Sequence, residues 1–220
     1  MFSKSTFAGA AALLAAPIVV IAGTLAQPTL SDDAASQVAA LTVHRGPMIA
    51  GLALRTTGLI LLIAGTVWLA LTLAPRVPRL AMAGGVLGVL GSLVVLFESG
   101  VGAAAPAIVD TLDRAQATAV LDRINTGAIS ALDPLSVLGD IGIALLGIAV
   151  VRAGAPRWAA AAIVIGALGE GAGFATSTKA LVIISFALLF AGLAQAVRTL
   201  VTRAAPQPTA EAAPQATAVA

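Results

Sequence analysis

Four ionisable residues stand inside long apolar runs of this 220-residue chain: Arg55, Glu98, Asp140 and Glu170. A charge at membrane depth costs roughly 2.5–3.5 kcal/mol even on the mildest scale, so such residues usually pair, face the bundle interior and mark a site. Three carboxylates and one guanidinium can bridge helices, pass a proton, or hold a cation or a polar ligand. If all four ionise, two negative charges are left over, which a bound proton or cation would offset.

Positions three and four residues apart share a helix face, and that spacing shows what surrounds each charge. Arg55 lies with Gly51, Gly58 and Gly65, and Glu98 with Gly84, Gly88, Gly91 and Gly102. Asp140 lies with Ser136, Ala144 and Gly147, and Glu170 with Gly166 and Gly173. Small residues mark the faces on which membrane helices touch, so all four charges are expected to point into a bundle. Two readings follow. In one, Arg55 bridges Asp140, Glu170 or both and fixes helix register, while Glu98 is solvated near the surface. In the other, the cluster is a proton, ion or ligand site.

The elements that carry these charges are helices. The chain is 59% apolar and only 10% charged, with mean hydropathy +1.03, whereas soluble domains carry about 25% charged residues. Apolar runs of about 20 residues are long enough to cross a ~30 Å hydrocarbon core, and the alternating ten-residue segments of a membrane barrel are missing. The sequence contains no cysteine and one histidine. That excludes disulfides, thiol chemistry, thiolate metal sites and bis-histidine haem within one chain. No zinc-protease, serine-hydrolase or phosphate-loop motif occurs. No catalytic set, metal site or cofactor is therefore expected, and a net charge of +2 does not imply nucleic acid.

Six spans are expected, at about residues 7–26, 48–73, 80–100, 134–151, 158–176 and 180–197. They form one transmembrane domain over 1–203, an all-α polytopic bundle. The first run has a basic start at Lys4, a Pro17 that interrupts it, and small residues near Thr24-Leu25-Ala26 that would suit a signal-peptide cleavage site. Its apolar part exceeds the 7–15 residues of a signal-peptide core, which favours a retained helix. Between the first two spans, Ser31 can cap a helix with Asp32 and Asp33 in its first turn and His44 and Arg45 in its last, stopped by Gly46-Pro47. Ala117, Val120, Leu121 and Ile124 outline a second short amphipathic helix ended by Asn125-Thr126-Gly127. Asp133-Pro134 opens the fourth span. Residues 133–176 then form two apolar helices joined at Gly154-Ala155-Pro156-Arg157. The Ala-, Pro- and Gln-rich tail 204–220 is expected to be disordered.

Lys4, the Arg76/Arg79 turn, the Arg152/Arg157 turn and the Arg198/Arg203 tail fall on one side of six alternating spans. The positive-inside rule makes that side cytoplasmic, with both termini inside and the two amphipathic helices on the outer face. Ten arginines against two lysines, with abundant Ala and Gly, suggest a high-GC bacterium and hence its inner membrane. On this topology the four charges occupy the outer half of the membrane, Asp140 and Glu170 deepest and Glu98 nearest the interface. Trp68 and Trp158 suit interface or packing roles. His44 reads as a helix-end charge. Ala74-Pro75-Arg76 echoes Ala155-Pro156-Arg157, and Gly58 shares an offset with Gly139. That is either a tandem repeat or, more simply, two solutions to one turn problem.

A polar outer segment ending His44-Arg45, followed by hairpins that turn at Pro-Arg motifs such as Ala155-Pro156-Arg157-Trp158, resembles bacterial multi-pass proteins of the DUF4386-like type over most of residues 30–200. The resemblance implies a helical bundle and brings no established activity or site residue with it. The function expected is non-enzymatic: a small transporter-like or ligand- or proton-sensing bundle, or else an accessory subunit whose glycine faces receive partner helices. The partners expected are the lipid bilayer, a small ligand, proton or cation, and copies of itself or other subunits.

Overall fold

The computed structural model describes residues 4–28, 30, 33–127 and 130–204, and these form an all-helical bundle without strands. Nine α-helices follow one another among the described residues: α1 (Lys4–Ala26), α2 (Ala34–Val43), α3 (Arg45–Leu73), α4 (Pro78–Gly102), α5 (Ala105–Thr111), α6 (Arg114–Thr126), α7 (Asp133–Arg152), α8 (Arg157–Ala175) and α9 (Lys179–Ala204). Six of them, α1, α3, α4, α7, α8 and α9, are long and apolar enough to cross a membrane. The tail expected to be disordered falls, beyond Ala204, outside the described residues, as do Ser31 and Asp32.

The six long helices close a ring in chain order: α1 packs on α3, α3 on α4, α4 on α7, α7 on α8, α8 on α9, and α9 back on α1. Three of these seams are glycine zippers. Gly65 of α3 faces Leu13 of α1, and Gly58 faces Val20. Gly91 and Gly88 of α4 meet Gly139 and Gly142 of α7 backbone to backbone. Gly166 and Gly173 of α8 face Leu189 and Val182 of α9. Ile60, Leu71, Val86, Ile141, Ile165 and Ile184 turn outward, as side chains facing lipid should. Toward the Arg76 and Arg157 turns the ring is filled by Leu69, Leu73, Leu146, Val150 and Leu193, all essentially inaccessible.

Several sequence-based boundaries shift, each for a local reason. Pro17 does not interrupt the first helix, which runs unbroken through it. The second span starts at Arg45 rather than after Gly46-Pro47, because a proline in a first turn forfeits only an N–H that has no helical partner. Asp33, not Ser31, caps α2, its carboxylate accepting from the Ser36 amide at 2.7 Å. The Ser36 hydroxyl and amide together hold the Asp33 carboxyl below its usual range. Arg45 thereby leaves α2 for α3, where it forms a bidentate pair with Asp110 at the end of α5. Asp113 caps α6 through the Gln116 amide at 2.9 Å. Of the four residues outlining α6, Ala117 and Leu121 are buried and Ile124 packs beside them, while Val120 turns outward. The last helix extends past Val197 to Ala204.

The short helices α2, α5 and α6 cap the end of the ring opposite the Arg-rich turns. They have a core of their own, with Val38 and Leu41, Ala105, Ala117 and Leu121 packed against Met48 of α3. The two Pro-Arg turns prove to be different backbones. After α7, Gly154 is left-handed (φ 100°) and the Ala155 amide reaches back to the Val150 carbonyl at 3.1 Å, a glycine-terminated helix end. After α3 no residue is left-handed, and the Arg76 and Val77 amides both bond the Leu73 carbonyl.

Candidate functional site

The α7–α8 seam brings Asp140 and Glu170 to one level. Gly147 meets Ile163 near one end of the seam, and Asp140 meets Gly171 near the other. A β-carbon at residue 171 would stand 2.5 Å from Asp140 Oδ2, so only glycine lets that carboxylate lie against the α8 backbone beside Glu170.

Arg55 enters from α3, whose backbone approaches α1 closely enough that a β-carbon on Gly23 would lie 2.8 Å from the Arg55 nitrogen. Its guanidinium donates from Nη1 to Gln27 Oε1 at 3.1 Å and lies over the Phe174 ring, 4.4 Å from the centroid. Phe174 is one helical turn beyond Glu170 on the same face of α8. An amide and an aromatic ring are thus among the contacts that aim Arg55 at this face.

Gln27 ties this corner together. Its side chain is only 1% exposed, it passes α3 at Gly51, where a β-carbon would lie 2.3 Å from Gln27 Cγ, and its main-chain carbonyl accepts from Lys179 Nζ. Lys179 opens α9 directly after a tight helix end in which the Thr178 amide bonds the Gly173 carbonyl at 2.8 Å. That turn requires Ser177 at φ 51°, a conformation costing a non-glycine residue about 1–2 kcal/mol.

Glu98 lies at a different level from Asp140. The α3–α4 seam aligns Gly88 with Thr66 and Gly85 with Ala70, which puts Glu98 level with Thr56; the α4–α7 seam, with Gly91 at Gly139, puts it beside the start of α7. On that seam Asp140 is level with Leu90, eight residues below Glu98, or roughly 12 Å of helix rise. On these registers Arg55 leaves α3 at the level of Glu98, and its guanidinium reaches over Phe174 toward the level of Asp140 and Glu170. His44 is the exposed end residue of α2. Among the described residues no three His, Cys, Asp or Glu side chains are grouped as a metal would need.

Sequence reasoning missed Gln27, Phe174 and Lys179. Gln27 and Lys179 looked like span boundaries, and Phe174 like one more apolar residue. The available signal was an amide and an ammonium placed within a turn of an apolar run, where their donors and acceptors need partners.

Fold and site define a membrane-type helical ring with a polar layer in one half and a leucine plug in the other. No protein-family description, curated protein or solved structure matches the chain.

Proposed function

We propose that this is a multi-pass protein of a bacterial inner membrane, with both termini cytoplasmic, and that the Arg55–Asp140–Glu170 layer is its proton- or ligand-responsive site. The function is that of a small transporter-like or sensing bundle, without catalysis. The observation that carries this reading is the Asp140 carboxylate lying against the α8 backbone at Gly171, the residue after Glu170, with the Arg55 guanidinium over Phe174 on the Glu170 face of α8. Two acids sharing one low-dielectric layer with one base hold a proton or cation more readily than a neutral pair would. The leucine plug beneath closes the ring toward the Arg-rich end.

The accessory-subunit reading is less well supported. Its glycine faces are already occupied within the ring, Gly51, Gly58 and Gly65 by α1, and Gly88 and Gly91 by α3 and α7.

Infrared difference spectroscopy of the protein in lipid discs, between mildly acidic and alkaline pH, tests the proposal. A carboxyl C=O band that changes with pH in the wild type and is lost in Asp140→Asn or Glu170→Gln, with helicity unchanged, supports it. A carboxyl spectrum that does not respond to pH would make the layer a purely structural bridge.

A further inference from the structure

The cap contains a cleft of about 480 Å³ between α2, α5 and α6, and it belongs to neither the ring nor the Arg55 layer. Its walls are alkyl: Val38 and Val43 from α2, Val109 and Leu112 from α5, with Thr42 between them. The Thr42 hydroxyl is spent on the Val38 carbonyl at 2.8 Å, so this residue contributes a methyl rather than a polar group. Val43 is 71% exposed, an apolar wall that none of the described residues covers. One charge lines the cleft, Arg114. The neighbouring Arg45 is held by Asp110, whereas the Arg114 guanidinium makes no ion pair among the described residues.

We propose that this cleft binds a single-chain anionic amphiphile, an alkyl tail lying between α2 and α5 with a terminal carboxylate on Arg114. The volume lies within the ~300–1,000 Å³ range of ligand sites. At about 30 Å³ for each water- or methylene-sized group, it takes roughly 16 of them, which is one chain and not two. Arg114, without an ion pair among the described residues, selects for an anionic head, and the position of the cap, where apolar α2 meets α3, gives a chain access from the membrane surface.

The test uses the full chain in phosphatidylcholine discs and three diazirine-tailed probes: palmitate, the corresponding alcohol, and a phosphatidylglycerol carrying the same chain. Palmitate should label peptides covering residues 38–43 and 109–117. Arg114→Gln should reduce that labelling about tenfold, as loss of a charge-assisted contact implies, while Arg114→Lys retains most of it. Ala39→Trp, which narrows the cleft, should abolish it. Circular dichroism checks that each variant stays folded; because Arg114 and its substitutes lie on the exposed rim, the Arg114 pair remains informative even if Ala39→Trp misfolds. Equal labelling by the alcohol would overturn the carboxylate role of Arg114. Equal labelling of the cleft by the phospholipid would overturn the single-chain assignment, and label confined to the six long helices would overturn the site itself.

Discussion

Replacing Gly91 by alanine measures how closely α4 and α7 approach. A β-carbon there would lie 2.0 Å from the Gly139 nitrogen and 2.4 Å from its Cα, both backbone atoms that no rotamer change can move. Ordinary contact begins at 3.4 Å, so the seam must open by about 3.4 − 2.0 = 1.4 Å. A gap of even ~0.5–1 Å forfeits a quarter to a half of the dispersion energy of the atoms along it, and overpacking of this kind costs about 1–3 kcal/mol or more. Alanine recovers about 1 kcal/mol of helix propensity, and because the clash here is with backbone the upper end of that cost applies, leaving a net loss of up to about 2 kcal/mol. Gly100→Ala, in the same helix, is the internal control: its β-carbon meets nothing within 4 Å, so the same substitution should stabilise by about 0.5–1 kcal/mol. Unfolding by dodecyl sulfate in mixed micelles, followed by helical circular dichroism, reads both variants. A difference of up to about 3 kcal/mol with opposite signs is expected. Equal effects would refute the close approach, and with it the register that separates Glu98 from Asp140.

Further outcomes follow from the charged layer, the cap and the topology. Asp140→Asn and Glu170→Gln should be non-additive in unfolding free energy by at least about 0.5 kcal/mol, and Arg55→Ala should destabilise more alone than together with Glu170→Gln, since the single change strands a carboxylate; strictly additive losses would mean that these groups do not interact. Because folding lowers the Asp33 carboxyl, its capping contribution to α2 is complete above the ordinary carboxylate range and disappears as pH falls through the lowered value. The Ser36 amide resonance should titrate there, and Asp33→Ala should abolish the titration. Reporter fusions after Arg79, Arg157 and Arg203 should report cytoplasm and fusions near Thr118 the opposite side, an arrangement that an externally placed C-terminus would overthrow.

The structure also places α1 as a full member of the ring. Gly9 packs on Trp68, and Gly23 on the Arg55 backbone. Removing residues up to Ala26 would expose the α3 face lined by Gly51, Gly58 and Gly65 and would strip Gln27 of the helix that positions it.

Composition and apolar run length determined the helical membrane class and the number of long helices, because a hydrocarbon core admits few alternatives for twenty consecutive apolar residues. The spacing of glycines around each charge likewise showed which faces would be interior. The α2 cap and the start of α7 were legible to within a few residues, since Asp33 and Pro134 act on their nearest neighbours, whereas the Asp113 cap of α6 went unread. Helix partners were not legible. Nothing local to Gly88 says that it meets Gly142, or that Gly171 makes room for Asp140, because both follow from how six helices of similar composition close a ring. The same limit explains the corner around Arg55. Its partners Gln27 and Phe174 lie 28 positions before it and 119 after it in the chain, and each is an ordinary residue until packing puts an amide and a ring beside a guanidinium. Tertiary structure alone decided the level of each charge along the ring, with Asp140 beside Gly171 and Glu98 about eight residues away along the α4–α7 seam.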